Sequence, residues 1–226
     1  MLDASQLERL LEGAATTVQV TVLAAVLGTV LSVAGGVAAM SGSRPAWITT
    51  RVYVEFFRGV SAVILLFWVF FAVPLLIDVR LSPLQAGVLA LGLNMGAYGT
   101  EIARGAIQAV PKGQTEASVA LDLTTAQRLR LVILPQAAVT MLPPYGNLLI
   151  ELLKGSSLVS LITLSDLLFE AQQLRTTRAA SSLAIFSTVL VMYFVLSLVI
   201  SGLVRLAEAY ASRGLDTGRG VTMRAD

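Results

Sequence analysis

The sequence contains no histidine and no cysteine, and 13% of its residues are charged, against roughly 25% in a typical soluble domain. The two missing residue types exclude disulfides, thiol nucleophiles, imidazole bases and Cys/His zinc sites. The net charge of +2 is too small to indicate a nucleic-acid partner. With 226 residues, the chain has room for one domain or for one membrane bundle with short loops.

Long stretches without any charged residue take up most of the chain. Five of them hold 19 to 31 residues, and a helix of about 20 apolar residues can cross the core of a bilayer. These stretches are residues 13–43, 59–77, 81–100, 131–150 and 179–204. A soluble fold of this size cannot enclose five buried helices, so the pattern predicts an all-α membrane protein with five transmembrane helices. A sixth stretch, 155–165, has 11 residues and is predicted to be re-entrant or interfacial.

The distribution of Lys and Arg predicts the orientation of these helices. With the N-terminus outside, the inner segments carry 11 basic residues and the outer segments carry 5. The positive-inside rule therefore favours an N-out, C-in topology. Residues 1–12 lack the basic start of a signal peptide and are predicted to form a short helix on the outer surface. Residues 47–59 are predicted to be an amphipathic elbow helix at the cytoplasmic interface, and the tail 209–226 is expected to be flexible.

The fourth predicted span, about 131–154, is the best candidate for a helix that lines a pathway. It contains Pro135, Pro143 and Pro144, and each proline removes a backbone hydrogen bond. In a membrane, such breaks persist where protein or water satisfies the freed carbonyls, although they can also serve only to shape the helix. Polar groups in apolar spans are candidates for solute contact. The candidates are Asn94, Asn147 and Glu151, with interhelical hydrogen bonds (for the asparagines) or a surface anchor (for Glu151) as alternatives.

The stretch GQTEASVALD, residues 113–122, interrupts the apolar sequence between the third and fourth spans. Its pattern predicts two short cytoplasmic helices with a corner at Asp122. Ala117, Ala120 and Leu121 are spaced to form one narrow apolar face, and Thr124 and Gln127 have capping-box spacing for the second helix. This arrangement suits insertion into the groove of a partner, and an ordinary solvated loop is the alternative.

The stretch GQTEASVALDLTTAQRLRLVILPQA resembles the cytoplasmic EAA loop of permease subunits of bacterial ABC importers. The ordered set GAATTVQVTVLAAVLGTVLSV, YVEFFRG, GAYGTEIARGAIQAVPKGQTEA, LRLVILPQA and LLKGSSLVSLI is similar to the polar amino-acid permease branch. These motifs are distributed over residues 13–162 in family order.

The resemblance implies an ABC importer transmembrane domain over residues 13–208, with a coupling loop at about 111–127. That loop would dock on a cytosolic ATPase through Gly113, Glu116, Ala117, Ala120, Leu121 and Asp122. It also implies a second permease chain, an extracytoplasmic solute-binding protein, a small polar or zwitterionic solute, and a place in the bacterial cytoplasmic (inner) membrane. Glu101 and Arg104 match the family's conserved run before the loop, and their i, i+3 spacing predicts an ion pair that stabilises this inner end of the third span. Lys154 matches the family's outer-side Lys-x-Thr/Ser-Ser-Leu motif.

The chain departs from the family pattern in four ways. Ser118 replaces the second alanine of the loop, Asp122 replaces the corner glycine, Val60-Ser61 replace Thr-Pro, and Gly155 replaces an acidic or amide residue. Because Asp tolerates positive φ better than most residues, the corner can survive. Some ectoine/hydroxyectoine permeases share the departures at the elbow and at the corner. This similarity raises an ectoine-like compatible solute as an alternative cargo.

No ATP site is predicted within the chain. A phosphate-binding loop needs lysine after glycine, and the only two lysines, Lys112 and Lys154, follow Pro111 and Leu153. ATP and Mg²⁺ therefore belong to the partner ATPase, and this chain is not expected to be an enzyme. The alternative class is an ion-gradient-driven transporter or channel, but none of the five stretches contains the buried carboxylate that such a protein would use. An intramembrane enzyme is disfavoured because the Asp residues lie at the predicted edges of the spans.

Overall fold

The computed structural model describes residues 3–40, 43–177 and 181–212, and the regular elements in that part of the chain are all helical. The α-helices are α1 Ala4–Met40, α2 Arg44–Gly59, α3 Ala62–Phe67, α4 Val73–Ile77, α5 Pro83–Gln108, α6 Lys112–Ala120, α7 Thr125–Arg128, α8 Leu134–Gly155, α9 Leu167–Thr176 and α10 Ser182–Ser212. The π-helical turns Trp68–Ala72 and Leu129–Ile133 join α3 to α4 and α7 to α8, and a 3-10 helix, Ser156–Ile162, follows α8. The prediction of an all-α protein is confirmed for these residues.

Within the described residues, two helices, α1 and α10, are long and apolar enough to cross a membrane alone. Two bent pairs bring the number to four if each pair forms one span. One of these pairs bends by 104° between α2 and residues 62–76, which separates the predicted elbow from the second span. The length and composition of the described helices therefore identify at most four of the five predicted crossings. The helix α5 is absent from the count because it lies in the centre of the bundle, where small and polar residues replace lipid-facing ones.

The most extensive helix packing in the bundle is between α1 and α5, and it depends on small residues. A methyl group added at Gly36 would lie 2.6 Å from the Cβ atom of Ala103. Because neither atom belongs to a flexible side chain, the two backbones would have to separate to make room. Small residues are what allow helices to approach this closely in membranes.

We expect Gly36→Ala to lower the thermal stability of the purified protein, since overpacking of this kind costs about 1–3 kcal/mol. Gly202→Ala in α10 is the matched control, because an added Cβ at that position meets nothing within 4 Å. It should leave the melting temperature unchanged or raise it slightly. A thermal melt monitored by tryptophan fluorescence in detergent compares the two variants, and equal melting temperatures would contradict the packing argument.

Two prolines explain the two π-helical turns. Pro74 and Pro135 each stand at the start of a helix that directly follows such a turn. A proline lacks the N–H group that would bond four residues back, so the preceding backbone widens by one residue. The Val73 amide accordingly donates to the carbonyl of Trp68, and the Leu134 amide donates to the carbonyl of Leu129.

Two predicted boundaries differ from the structure. The N-terminal surface helix is not separate, because α1 runs without a break from Ala4 and Leu10 is fully buried against α9 and α10. The tail begins later than predicted, since residues 209–212 are the end of α10. The rest of the tail, 213–226, lies outside the described residues. Of the two placements expected for the short stretch 155–165, burial of Val159 and Ile162 inside the bundle fits a re-entrant segment and not an interfacial one.

Helix ends that are distant in the sequence lie together at each of the two ends of the bundle. At one end, the start of α1 meets α9 through an ion pair in which Arg9 lies 2.6 Å from Glu170. At the other end, the Gln108 amide contacts the sulfur of Met40, which joins the ends of α1 and α5. The segments at the first end are those assigned to the outer side from sequence, and those at the second end are those assigned to the inner side.

Candidate functional site

The insert between the third and fourth spans forms two short helices, as predicted. The second helix, α7, starts with a reciprocal capping box: the Gln127 amide donates to Thr124 Oγ1 at 3.3 Å, and the Thr124 amide donates to Gln127 Oε1 at 2.9 Å. These two bonds satisfy backbone donors that the first turn of a helix leaves unpaired. The capping box predicted from the sequence is thus confirmed.

The corner between α6 and α7 has the geometry that the family pattern requires. Asp122 has a φ of 53°, in the left-handed region that glycine usually occupies. The Asp122 amide donates to the carbonyl of Val119, and the Leu123 amide donates to that of Ser118. These bonds define a Schellman motif, which ends α6 and turns the chain. An aspartate therefore keeps the corner that glycine would form, and it adds a charge there.

The residues predicted to dock on a partner are exposed in the single chain. Gly113, Glu116, Ala117, Ala120, Leu121 and Asp122 are all on the surface. Leu121 is 75% exposed at the end of α6. In contrast, Ser118 is 2% exposed and its hydroxyl donates to the carbonyl of Thr115 at 2.7 Å. Ser118, which replaces the family's alanine, therefore faces the interior of the chain, so the outer face of α6 is unchanged.

An apolar cluster connects this loop to the spans on either side of it. Ala106 and Ile107 near the end of α5 pack with Ala137 of α8, and Val110 and Ile133 pack around them. Packed side chains therefore fix both ends of the loop to the bundle.

Two of the three predicted pathway residues share one cavity. This cavity of about 210 Å³ lies between the start of α3, the middle of α5 and the end of α8. Asn94 and Glu151 both line it, and the other lining residues are Ala62, Leu91, Met95, Tyr98, Leu148, Leu152 and Gly155. An amide, a phenol and a carboxylate thus meet on an otherwise apolar wall, an arrangement that suits a small solute with a polar and a charged group.

The side chain of Asn94 also has a structural partner. Its Nδ2 atom donates to the carbonyl of Phe57 at 2.8 Å. Phe57 belongs to the last turn of α2, where carbonyls have no partner within the helix. The interhelical hydrogen bond considered for Asn94 from the sequence is therefore present, and the same residue also borders the cavity.

Asn147 is exposed and does not line this cavity. It borders a separate groove between α8 and α10, with Ser201, Arg205 and Glu208 on the opposite wall. Tyr98 lines the cavity but was not predicted from the sequence. Its position four residues after Asn94 places the two on one face of α5, a spacing that could have identified it.

One face of α8 is polar and exposed along most of the helix. Thr140, Pro143, Pro144, Asn147, Glu151 and Lys154 are all exposed and, apart from the two adjacent prolines, recur at intervals of three or four residues. The two prolines also free the carbonyls of Val139 and Thr140 from helical bonding. We refer to these six residues as the α8 polar stripe.

The ion pair predicted at the inner end of α5 is present. The Arg104 guanidinium donates to both carboxylate oxygens of Glu101, at 2.7 and 3.2 Å. The two residues are separated by one helical turn, so the pair supports the end of the helix that leads into the loop.

Comparison with known proteins assigns the chain to a family. Residues 31–211 match the family described as binding-protein-dependent transport system inner membrane component. The chain is 48% identical over 206 residues to the "Probable amino-acid ABC transporter permease protein y4tF" of Sinorhizobium fredii, with 89% of this chain and 86% of that protein covered. It is 36% identical over 200 residues to the glutamine transport system permease protein GlnP of Escherichia coli, with 88% and 91% covered.

Solved structures agree with this assignment. A crystal structure of an amino acid ABC transporter with histidines superimposes with a TM-score of 0.82 at 30% identity, covering 93% of this chain and 99% of that one. An inward-facing MetNI methionine ABC transporter has the same fold, with a TM-score of 0.79 at 22% identity and the same coverage. The chain belongs to the family of inner-membrane components of binding-protein-dependent transport systems. It is accordingly an integral membrane permease subunit of the ABC importer class.

Proposed function

We propose that two copies of this permease, or this chain and a related one, enclose a path for an amino acid in the bacterial inner membrane. A partner ATPase would bind ATP and Mg²⁺ and hydrolyse ATP, and an extracytoplasmic binding protein would deliver the solute. The relatives carry amino acids in their names, including glutamine, cystine and arginine. The ectoine-like cargo considered from the sequence gains no support from these relatives, so an amino acid is the substrate class proposed.

The α8 polar stripe is the observation that supports a path between two chains. A membrane offers no hydrogen-bond partner to an exposed amide, carboxylate or freed carbonyl at the depth of the apolar core. In the single chain the stripe is nevertheless uncovered. A second permease chain facing it across water would solvate these groups and keep them away from lipid.

The topology proposed is the one with five crossings, N-out and C-in. The crossings are α1, residues 62–77, α5, α8 and α10, with α2 at the inner interface and α9 at the outer one. The distribution of basic residues favours this orientation, and the grouping of segments at the two ends of the bundle is compatible with it.

Coupling to the ATPase is proposed to occur through α6 and the Asp122 corner. The exposed outer face of α6 and the highly exposed Leu121 have the chemistry of a helix that inserts into a groove. Motion of the ATPase would then reach α5 and α8, and with them the cavity that contains Asn94 and Glu151.

Reconstitution of the complex tests this function. The chain is co-expressed with the ABC ATPase and the binding protein from the same organism, after a thermal-shift screen of amino acids against the binding protein has identified the solute. We expect ATP-dependent uptake into proteoliposomes that requires the binding protein. Uptake by this chain alone in ATP-free vesicles, driven by an ion gradient, would instead support the secondary transporter alternative and overturn the proposal.

A further inference from the structure

A second polar cavity lies at the inner end of the bundle, outside the proposed path. It measures about 240 Å³ and lies between the elbow helix α2 and the end of α5. Three guanidinium groups line it, those of Arg51, Arg58 and Arg104, together with the carboxylates of Glu55 and Glu101. The indole of Trp47 forms part of the wall.

The ion pairs of this cavity leave one positive charge available. Arg51 pairs with Glu55 at 3.1 Å, and Arg104 pairs with Glu101 at 2.7 Å. Arg58 takes part in none of the ion pairs found among the described residues, and its guanidinium carbon lies 5.2 Å from the centre of the Tyr98 ring. A guanidinium held on an aromatic face keeps its hydrogen-bond donors directed outward along its plane. The side chains that line the cavity therefore carry a net positive charge, and the guanidinium of Arg58 offers N–H donors suited to an oxyanion.

An apolar stripe runs along α2 beside this cavity. Ile48, Val52 and Phe56 follow one another at intervals of four residues and are 50%, 63% and 55% exposed. The side chains that line the cavity occupy the neighbouring face of the same helix. An interfacial amphipathic helix presents these two faces to the head groups and to the acyl chains of a lipid leaflet.

We infer that this cavity binds the phosphate of an anionic phospholipid, with Arg58 as its principal ligand and the acyl chains lying along Ile48, Val52 and Phe56. A single ligand with a negatively charged head and apolar tails matches both faces of α2, whereas a free phosphate ion matches only the cavity. Arginine recognises phosphate through paired, charge-assisted hydrogen bonds. Basic pockets between helices on the cytoplasmic side of a membrane have the charge that anionic head groups require. The inference uses the inner placement of α2 proposed above but does not depend on the identity of the solute.

The test measures lipid binding to the purified complex with its ATPase. Native mass spectrometry is used to titrate short-chain phosphatidylglycerol, with short-chain phosphatidylcholine as the zwitterionic comparison and inorganic phosphate as competitor. We expect phosphatidylglycerol to be retained more strongly than phosphatidylcholine. Arg58→Gln should weaken phosphatidylglycerol binding by about tenfold or more, as expected when a charge-assisted hydrogen-bonded pair is lost. Arg80→Gln, which removes the same charge from the exposed turn between α4 and α5, should leave the binding unchanged.

A second variant changes the binding in the opposite direction. Glu55→Gln removes a carboxylate from the cavity and frees Arg51, so it should strengthen retention of phosphatidylglycerol. Equal binding of the two lipids, no effect of Arg58→Gln, or displacement of lipid by millimolar inorganic phosphate would overturn the proposal. None of these outcomes depends on transport, so a failure here is distinguishable from a failure of the proposed importer function.

Discussion

Replacing Ala117 by arginine is expected to abolish solute-stimulated ATP hydrolysis in the reconstituted complex while leaving the permease folded. Ala117 is exposed on α6, so a larger side chain meets no atom of its own chain that must move. In the proposed complex, the same position lies inside the groove of the ATPase. A bulky charge at the centre of such an interface costs about 2 kcal/mol or more, which weakens docking by about 30-fold.

Val119→Arg is the matched control for this variant. Val119 is also exposed, on the same helix, but two residues away, so it points in a different direction. It should retain most of the coupled hydrolysis. Thermal melts of both variants establish that each is folded, and co-purification of the ATPase measures docking directly. Full solute-stimulated hydrolysis by the Ala117→Arg complex would contradict the docking role of α6.

Replacing Glu151 by glutamine is expected to reduce uptake at subsaturating solute by about tenfold or more. A carboxylate that pairs with the ammonium group of an amino acid forms a charge-assisted hydrogen bond, and such bonds contribute about 1.5–3 kcal/mol. Glutamine keeps the size of the side chain and removes the charge. Because Glu151 is far from α6 in the chain and in the fold, assembly with the ATPase and basal hydrolysis should persist.

The control for this second variant is Glu12→Gln. Glu12 is exposed near the start of α1 and does not line the cavity, and its replacement removes the same charge. ATP-driven uptake of the identified solute into proteoliposomes compares the two. Equal uptake by Glu151→Gln and by the unmodified chain would exclude Glu151 from the proposed path and leave it as a surface anchor.

The features predicted most accurately from the sequence are those set by local chemistry. The capping box at Thr124 and Gln127, the left-handed corner at Asp122 and the ion pair of Arg104 with Glu101 each involve residues within four positions of one another. Local spacing determines such contacts, so a single sequence is enough to find them.

Features that depend on the packed bundle were harder to predict. The N-terminal segment was expected to be separate, but burial of Leu10 against α9 and α10 draws it into α1. Asn94 and Glu151 line the same cavity, whereas Asn147 borders a separate groove. This arrangement results from the way α5 packs on α8. Hydropathy counted span by span cannot show such pairings, because it contains no information on which faces meet.

The central claim is that the outer face of α6 lies in the cytosol and is covered by the ATPase. Because the chain has no cysteine, Ala120→Cys introduces a single thiol at an exposed position of this face. Labelling with a membrane-impermeant maleimide is compared in right-side-out and inverted membrane vesicles, with and without the ATPase. We predict labelling in inverted vesicles only, and loss of that labelling when the ATPase is bound. Labelling from the outer side of the membrane would contradict the account.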